Sequence, residues 1–321
     1  MLSTSTSTAL LPSRALRRFA WAVLAYFIAV ILWGTLVRAT GSGAGCGNHW
    51  PLCNGTMLQR SASLETLIEF THRITSAISF FSVLGLMVWT LRATVRGHLA
   101  RLAAVLSVVL TLVEAVLGAL LVRLGYTADS QAAGRPAFLA LHLTNTLLLL
   151  AAITLTAHLL GRSSGYTART VHFTAPVGAM VSIAVFMAVG VTGSLAALGD
   201  TLFPTDSLAA ALASDFSAAS NWLVRWRWAH PSVAFLSSIF LIWILVRAAQ
   251  RTSHWDNRGL SATILLLLAL QYVLGVLDVV LLAPTWLQVV HLLGADILWA
   301  ALVVLTARIT LVPVEGQGAR D

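Results

Sequence analysis

Charge is scarce in this sequence, and one kind of charged residue is missing altogether. Of its 321 residues only 10% are charged, whereas 58% are hydrophobic and the mean hydropathy is +0.85. All twenty basic residues are arginine, because the chain contains no lysine. Water-soluble domains carry roughly 25% charged residues, so this composition excludes an ordinary soluble fold. The net charge of +8 does not come from a basic cluster on a soluble face, which argues against nucleic-acid binding.

Long apolar runs take the place of the missing charge. Eight runs without strand alternation are present, at about 19–37, 66–91, 102–123, 137–160, 173–197, 226–248, 259–282 and 287–310. About twenty apolar residues span the hydrocarbon core of a bilayer as a helix, and lipid requires every backbone polar group to be paired. The sequence therefore predicts an all-α polytopic membrane protein with eight transmembrane helices.

The arginines indicate how these helices are oriented. Thirteen of the twenty lie before the first helix, between helices 2 and 3, 4 and 5, and 6 and 7, or after the last helix, and seven lie in the alternate segments. Arginine accumulates on the cytoplasmic side of membrane proteins. We therefore expect a cell-membrane protein with both termini in the cytoplasm.

Only two cysteines are present, and both fall in the first outer loop. Cys46 and Cys53 flank a segment that contains Gly47 and Pro51, which allow a tight turn. An oxidising exterior permits a disulfide there. A metal pair is the alternative, although two thiols alone make an incomplete zinc site. The spacing does not tell a structural disulfide from a redox-active one.

Internal repetition divides the chain into two halves. Three helices of the first half each match a helix of the second half. Glu114–Gly118 in helix 3 matches Gln271–Gly275 in helix 7. The segment that ends at His142 in helix 4 matches the one that ends at His291 in helix 8, and the segment that contains His72 in helix 2 matches the one that contains His230 in helix 6. The repetition predicts two pseudo-symmetric four-helix bundles, residues 1–161 and residues 162–321.

The four repeated histidines are the candidate ligands. All four lie near the outer ends of their helices, at matched positions of the two halves. Ionisable residues inside a membrane are costly and usually functional. A heme iron accepts two axial imidazoles from facing helices, whereas zinc or copper would need further ligands. The pattern favours two heme sites, one in each half, toward the outer face.

Two glycines accompany these histidines. Gly118 and Gly275 lie at matched positions in the third helix of each half. They either let a macrocycle approach the backbone or serve as ordinary helix-packing glycines, which are common in membranes. The sequence leaves both readings open.

The halves differ beside the first histidine of each pair. Glu69 precedes His72 by three residues and shares its helix face, whereas the matching position before His230 is Arg227. A carboxylate beside a heme pocket can move protons or stabilise a developing cation, and an arginine is suited to pairing a heme propionate. We therefore expect a reactive N-terminal half and an electron-transferring C-terminal half.

Several motifs together resemble the heme A synthase family. They are Arg38–Gly43, Cys46 with Trp50–Cys53, Glu69–Arg73, Gly199–Pro204, and the stretch from Gln271 to His291. The similarity runs from Arg14 to Ile309 and is greatest to the bacterial type that keeps a cysteine pair in its first outer loop, related to the mitochondrial heme A synthase.

This resemblance implies an oxidoreductase that converts heme O to heme A, the pigment of cytochrome oxidase, by oxidising the ring methyl at carbon 8 to a formyl group. Its site residues would be catalytic Glu69, the heme O ligands His72 and His142, the heme b ligands His230 and His291, and the disulfide Cys46–Cys53 near the substrate. Besides membrane lipid, expected partners are heme O synthase, a membrane electron acceptor such as quinone, and a second copy of the chain.

Two other functions explain the histidines. A di-heme membrane cytochrome would only pass electrons, and it would leave Glu69 without a role. A heme carrier would bind heme O and release it unchanged.

Overall fold

The computed structural model describes residues 12–55, 62–162, 167, 171–173, 177–251 and 255–313. Within these residues, eight helical segments are long and apolar enough to cross a membrane. The prediction of an all-α membrane protein with eight transmembrane helices is confirmed.

The helices begin and end within a few residues of the predicted limits. In chain order they are α1 (Arg14–Ala39), α2 (Leu64–Ala93), α3 (Leu99–Arg123), α4 (Arg135–Leu159), α5 (Val177–Leu202), α6 (Leu208–Asp215), α7 (Trp222–Arg225), α8 (Ala229–Arg251), α9 (Trp255–Val280) and α10 (Thr285–Thr310). The short helices α6 and α7, in the connection between α5 and α8, were not predicted.

Local signals explain several helix starts. The hydroxyl of Ser13 accepts a hydrogen bond from the backbone N–H of Leu16, and Ser63 does the same for Thr66. These side chains satisfy N–H groups that the first helical turn leaves unpaired. Pro136 stands in the first turn of α4, where its missing N–H costs nothing.

Each half of the chain packs as a ring of four long helices. In the first half, α1 and α3 each contact α2 and α4; in the second, α5 and α9 each contact α8 and α10. Contacts between the halves run through α4 with α5 and α10, and through α1 with α10. The four histidines lie on α2 and α4 in the first ring and on α8 and α10 in the second.

A small strand pair closes one end of the structure. Strand β1 (Val171–Phe173), before α5, pairs antiparallel with β2 (Leu311–Pro313), after α10. A bridge from His98 to Thr167 lies in the loops at the same end of the helices. The sequence did not predict this strand pair, because each strand is only three residues long.

The packed core lies toward that same end. Its buried side chains include Leu16 and Ala20 at the start of α1, Ile153 near the end of α4, and Trp299 in the second half of α10. The Trp299 indole donates to the carbonyl of Leu147 at 2.8 Å and stacks on Phe186 at 5.0 Å. The opposite end of the helices, where the disulfide loop lies, opens into a cavity.

Candidate functional site

A large cavity connects the two bundles at the disulfide end. Its volume is about 1650 Å³, whereas ordinary ligand pockets measure roughly 300–1,000 Å³. Its lining is mainly apolar and includes all four predicted ligands, His72, His142, His230 and His291. The cavity therefore exceeds what one ordinary ligand needs and has imidazoles in both halves.

Each histidine faces a glycine on the preceding long helix. A Cβ placed on Gly34 of α1 would lie 3.1 Å from Cε1 of His72, and one on Gly193 of α5 would lie 2.9 Å from Cε1 of His230. The corresponding distances are 3.8 Å from Gly118 to His142 and 3.4 Å from Gly275 to His291. The imidazoles of α2 and α8 thus occupy space that only glycine leaves open.

The two glycines singled out in the sequence, Gly118 and Gly275, lie against imidazoles. A methyl group at either position would make ordinary van der Waals contact with the ring. The tight pair, Gly34 and Gly193, was missed, although a signal existed: Gly34-Thr35-Leu36 in α1 matches Gly193-Ser194-Leu195 in α5. Comparison of helices 1 and 5 would have shown this fourth repeated pair.

The histidines pair within each half. His72 and His142 line the cavity from α2 and α4 of the first half, and His230 and His291 line it from α8 and α10 of the second. The Nδ1 atoms of His72 and His142 are buried without a hydrogen-bond partner among the described residues. Four histidines that line a mainly apolar cavity from both halves suit a ligand that supplies its own metal, so these residues fit a heme.

A different metal centre finds no support in the part of the chain that the structure describes. Within those residues, no group of three or more histidine, cysteine, aspartate or glutamate side chains is placed to hold a metal ion. A zinc or copper ion bound only by protein usually needs three or four such ligands.

Glu69 is buried beside the first histidine pair. Its side chain is only 4% exposed, and Oε1 accepts from the Arg73 guanidinium at 2.5 Å. Oε2 accepts from the backbone N–H of Cys46 at 2.8 Å. Glu65, one turn earlier, is exposed. Glu69 is therefore a held carboxylate at the cavity wall, unlike its neighbour on the same helix.

The disulfide Cys46–Cys53 is formed, and its loop lies directly on α2. Arg73 donates to the carbonyls of His49 at 2.7 Å and Leu52 at 2.8 Å. A Cβ on Gly45 would lie 2.5 Å from the carbonyl carbon of Glu65, so the loop backbone touches the helix backbone. Close backbone contact of this kind requires glycine.

Arg227 does not stand free for a propionate. Its guanidinium contacts Asp200 at 3.0 Å and Asp215 at 2.7 Å, so its charge is already paired by two carboxylates. Asp215 belongs to α6, a helix that the sequence did not reveal, which is why this pairing was not foreseen.

Two other arginines line the cavity with only neutral acceptors among their described hydrogen bonds. Arg38 of α1 donates to the Ala197 carbonyl at 2.9 Å and to Gln288 Oε1 at 2.6 Å, and so joins the two halves. Arg135, buried at the start of α4, donates to the carbonyls of Ala128 and Ser130. Buried cations of this kind attract an anion.

Comparison with known proteins adds the family. A profile of the COX15-CtaA family, described as cytochrome oxidase assembly protein, matches residues 17–303. The chain belongs to the COX15-CtaA family. It is therefore a multi-pass membrane protein of that family, in agreement with its eight apolar helices.

Individual relatives carry two different names. The chain is 39% identical over 289 residues to a protoheme IX farnesyltransferase of Thermus thermophilus, and the matched segment covers 89% of this chain and 47% of that protein. It is 44% identical over 101 residues to the heme A synthase of Bacillus licheniformis, and this match covers 31% of this chain and 32% of that protein. The heme A synthase of Bacillus mycoides is 37% identical over 130 residues, a match that covers 40% of this chain and 39% of that protein. The chain thus spans about half the length, or less, of these relatives.

Proposed function

We propose that this protein is a heme A synthase, which oxidises the C8 methyl of heme O to a formyl group. One observation carries the proposal: the cavity has two histidine pairs, and only the pair on α2 and α4 has a buried carboxylate, Glu69, beside its first histidine. Two similar ligand pairs that differ in the residue three positions before the first histidine, Glu69 against Arg227, suit a substrate site next to an electron-transfer site. Relatives named heme A synthase support this assignment.

In this proposal the two halves have different roles. His72 and His142 hold the iron of heme O, the substrate, and His230 and His291 ligate a resident heme b. Heme b supplies one-electron redox chemistry when bound. The contacts of Arg38 with neutral groups and the burial of Arg135 make these two arginines the candidates for the carboxylate arms of the macrocycles.

Glu69 is the proposed catalytic residue. Oxidation of a methyl group removes electrons and protons, and a carboxylate can stabilise the developing cation or activate water. Arg73 and the N–H of Cys46 hold both oxygens of Glu69 in place. This support keeps the carboxylate fixed at the wall of the cavity while the bound methyl group reacts.

The cavity faces the outside of the cell in this proposal, with both termini in the cytoplasm. The disulfide lies at the cavity end, and disulfides persist in oxidising surroundings. The arginine-rich loops lie at the opposite end.

Farnesyl transfer is the other activity named among the relatives, and the described residues do not favour it for this chain. A diphosphate substrate held by Mg²⁺ needs clustered oxygen ligands, and no cluster of acidic or histidine side chains suited to a metal occurs within the described ranges. About half of the Thermus protein lies outside the match. We propose instead that a heme O synthase is a partner that delivers the substrate.

The test is pigment analysis of membranes that contain this chain and a heme O synthase. We expect heme A with the unaltered chain and none with Glu69→Ala. Glu65→Ala is the matched control, because it removes an exposed carboxylate one turn away on the same helix. It should leave heme A formation unchanged.

Two results would contradict the proposal. Heme A at the unaltered level with Glu69→Ala would remove the catalytic role of that residue. Unconverted heme O with the unaltered, folded and oxidised chain would favour a cytochrome or a heme carrier.

A further inference from the structure

A second carboxylate, Glu114 of α3, lies inside the bundle beside a proposed heme ligand. It lines the cavity, and its side chain is 18% exposed. Oε2 accepts from the Asn145 amide at 2.5 Å, and Oε1 accepts from the Thr146 hydroxyl. Both partners belong to α4, the helix that carries His142. Two hydrogen bonds therefore fix this carboxylate against the turn that follows the histidine.

Glu114 also lies beside the Nδ1 atom of the His142 ring. Its Oε1 lies 3.5 Å from His142 Nδ1, and that nitrogen has no hydrogen-bond partner within the described residues. Imidazoles that bind a metal usually donate their other N–H to a carboxylate, a carbonyl or water, which fixes the tautomer and strengthens the ligand. A slightly shorter distance between His142 Nδ1 and Glu114 Oε1 would make this hydrogen bond.

The matching residue in the second half behaves differently. Gln271 occupies the position of Glu114 in the repeat. In its satisfied orientation its amide nitrogen donates to the His291 carbonyl at 3.1 Å, and its oxygen accepts from the Ala295 N–H at 3.2 Å. Gln271 therefore bonds to the backbone of α10, and the second half has no carboxylate at the matching position behind the corresponding imidazole.

We propose that Glu114 is a positioning residue for the iron of the first half: it accepts the Nδ1–H of His142, turns Nε2 toward the cavity and makes this imidazole a stronger electron donor. The proposal rests on heme binding by His72 and His142. It distinguishes the two irons, because a stronger imidazole donor stabilises the oxidised iron of the first half and lowers its midpoint potential relative to a site with glutamine.

A purely structural role is the competing explanation. Glu114 also ties α3 to α4 through Asn145 and Thr146, and loss of that tie could loosen the bundle. Glu114→Gln removes the carboxylate while keeping the size, and it installs the residue that the second half uses. Asn145→Ala is the control, since it removes one of these ties to α4 while the Thr146 hydroxyl still holds the carboxylate behind His142.

The experiment uses the purified full-length chain loaded with hemin. Spectroelectrochemical titration gives the midpoint potential of each iron, and low-temperature EPR gives the ligand field of the oxidised irons. In His230→Ala/His291→Ala protein only the first site remains, which identifies its signal. We expect Glu114→Gln to raise the midpoint potential of that site and shift its EPR g values at unchanged heme content, and Asn145→Ala to leave both unchanged.

The reciprocal variant tests the idea without touching the first half. Gln271→Glu should lower the midpoint potential of the second iron. Unchanged potentials and EPR spectra in both Glu114→Gln and Gln271→Glu would overturn the proposal and leave the proposed function intact. Failure of the unaltered chain to hold hemin through His72 and His142 would overturn both.

Discussion

Helix α1 approaches the imidazole of His72 closely at Gly34. A methyl carbon at Gly34 would lie 3.1 Å from the ring, which is shorter than ordinary contact, whereas one at Gly118 would lie at an ordinary 3.8 Å from His142. Overpacking of a close-packed site costs about 1–3 kcal/mol. The His72 ring therefore has to shift from its position if α1 carries a larger residue at Gly34.

We therefore predict that Gly34→Ala weakens hemin binding in the first half about tenfold, equivalent to roughly 1.4 kcal/mol. Gly118→Ala, the matched control on α3, should change the affinity less than twofold. Hemin titration of the purified proteins, followed by the bis-imidazole spectrum, measures both. Equal affinities for the two variants would show that the ring does not depend on Gly34.

At the level of an element, α2 supports the disulfide loop through one side chain. Arg73 holds the carbonyls of His49 and Leu52 and also Glu69, so one guanidinium links the loop, the helix and the candidate catalytic group. Hydrogen bonds to charged groups contribute roughly 1.5–3 kcal/mol each. The loop should therefore open more readily when this guanidinium is removed.

We predict that Arg73→Gln speeds reduction of Cys46–Cys53 by about tenfold or more, the effect of roughly 1.4 kcal/mol on local opening. The rate is measured by alkylation of released thiols during mild reductant treatment. Arg92→Gln, in the last turn of the same helix and at the other end, should leave the rate unchanged. An unchanged rate in Arg73→Gln would mean that other contacts hold the loop closed.

Sequence patterns identified the long elements well because each leaves a local trace. An apolar run of about twenty residues predicts a span, and histidines at matched repeat positions predict facing ligands. Arg227 shows where such reasoning fails: its partner Asp215 lies on α6, an eight-residue helix without a strong pattern. Glu114 was visible in the repeat, but its contact with His142 depends on how α3 turns against α4.

For the whole molecule, the division between packed core and cavity determines where the halves are joined. The buried side chains of α1, α4 and α10 interlock at the end away from the disulfide, whereas the cavity occupies the other end. The cavity end contributes few core contacts. We therefore expect the packed end to supply most of the packing energy that joins the two halves.

Trp299 is the largest fully buried side chain at that packed end among the described residues. It is fully buried on α10 of the second half, donates to the Leu147 carbonyl of the first half, and stacks on Phe186 of α5. Truncation of a buried tryptophan to alanine costs about 3–5 kcal/mol. Since the residue contacts both halves, this loss should weaken both heme sites together.

We predict that Trp299→Ala lowers the Tm of the detergent-purified protein and reduces hemin retention in both halves, whereas Trp299→Phe loses about 1 kcal/mol, the value of one hydrogen bond. Trp286→Ala is the matched control, because this tryptophan stands 61% exposed at the start of the same helix. Thermal unfolding followed at the heme band and by circular dichroism measures the effect. If Trp299→Ala released heme from the second half alone, the halves would be energetically independent, and the joint between α4 and α10 would not determine the geometry of the first site.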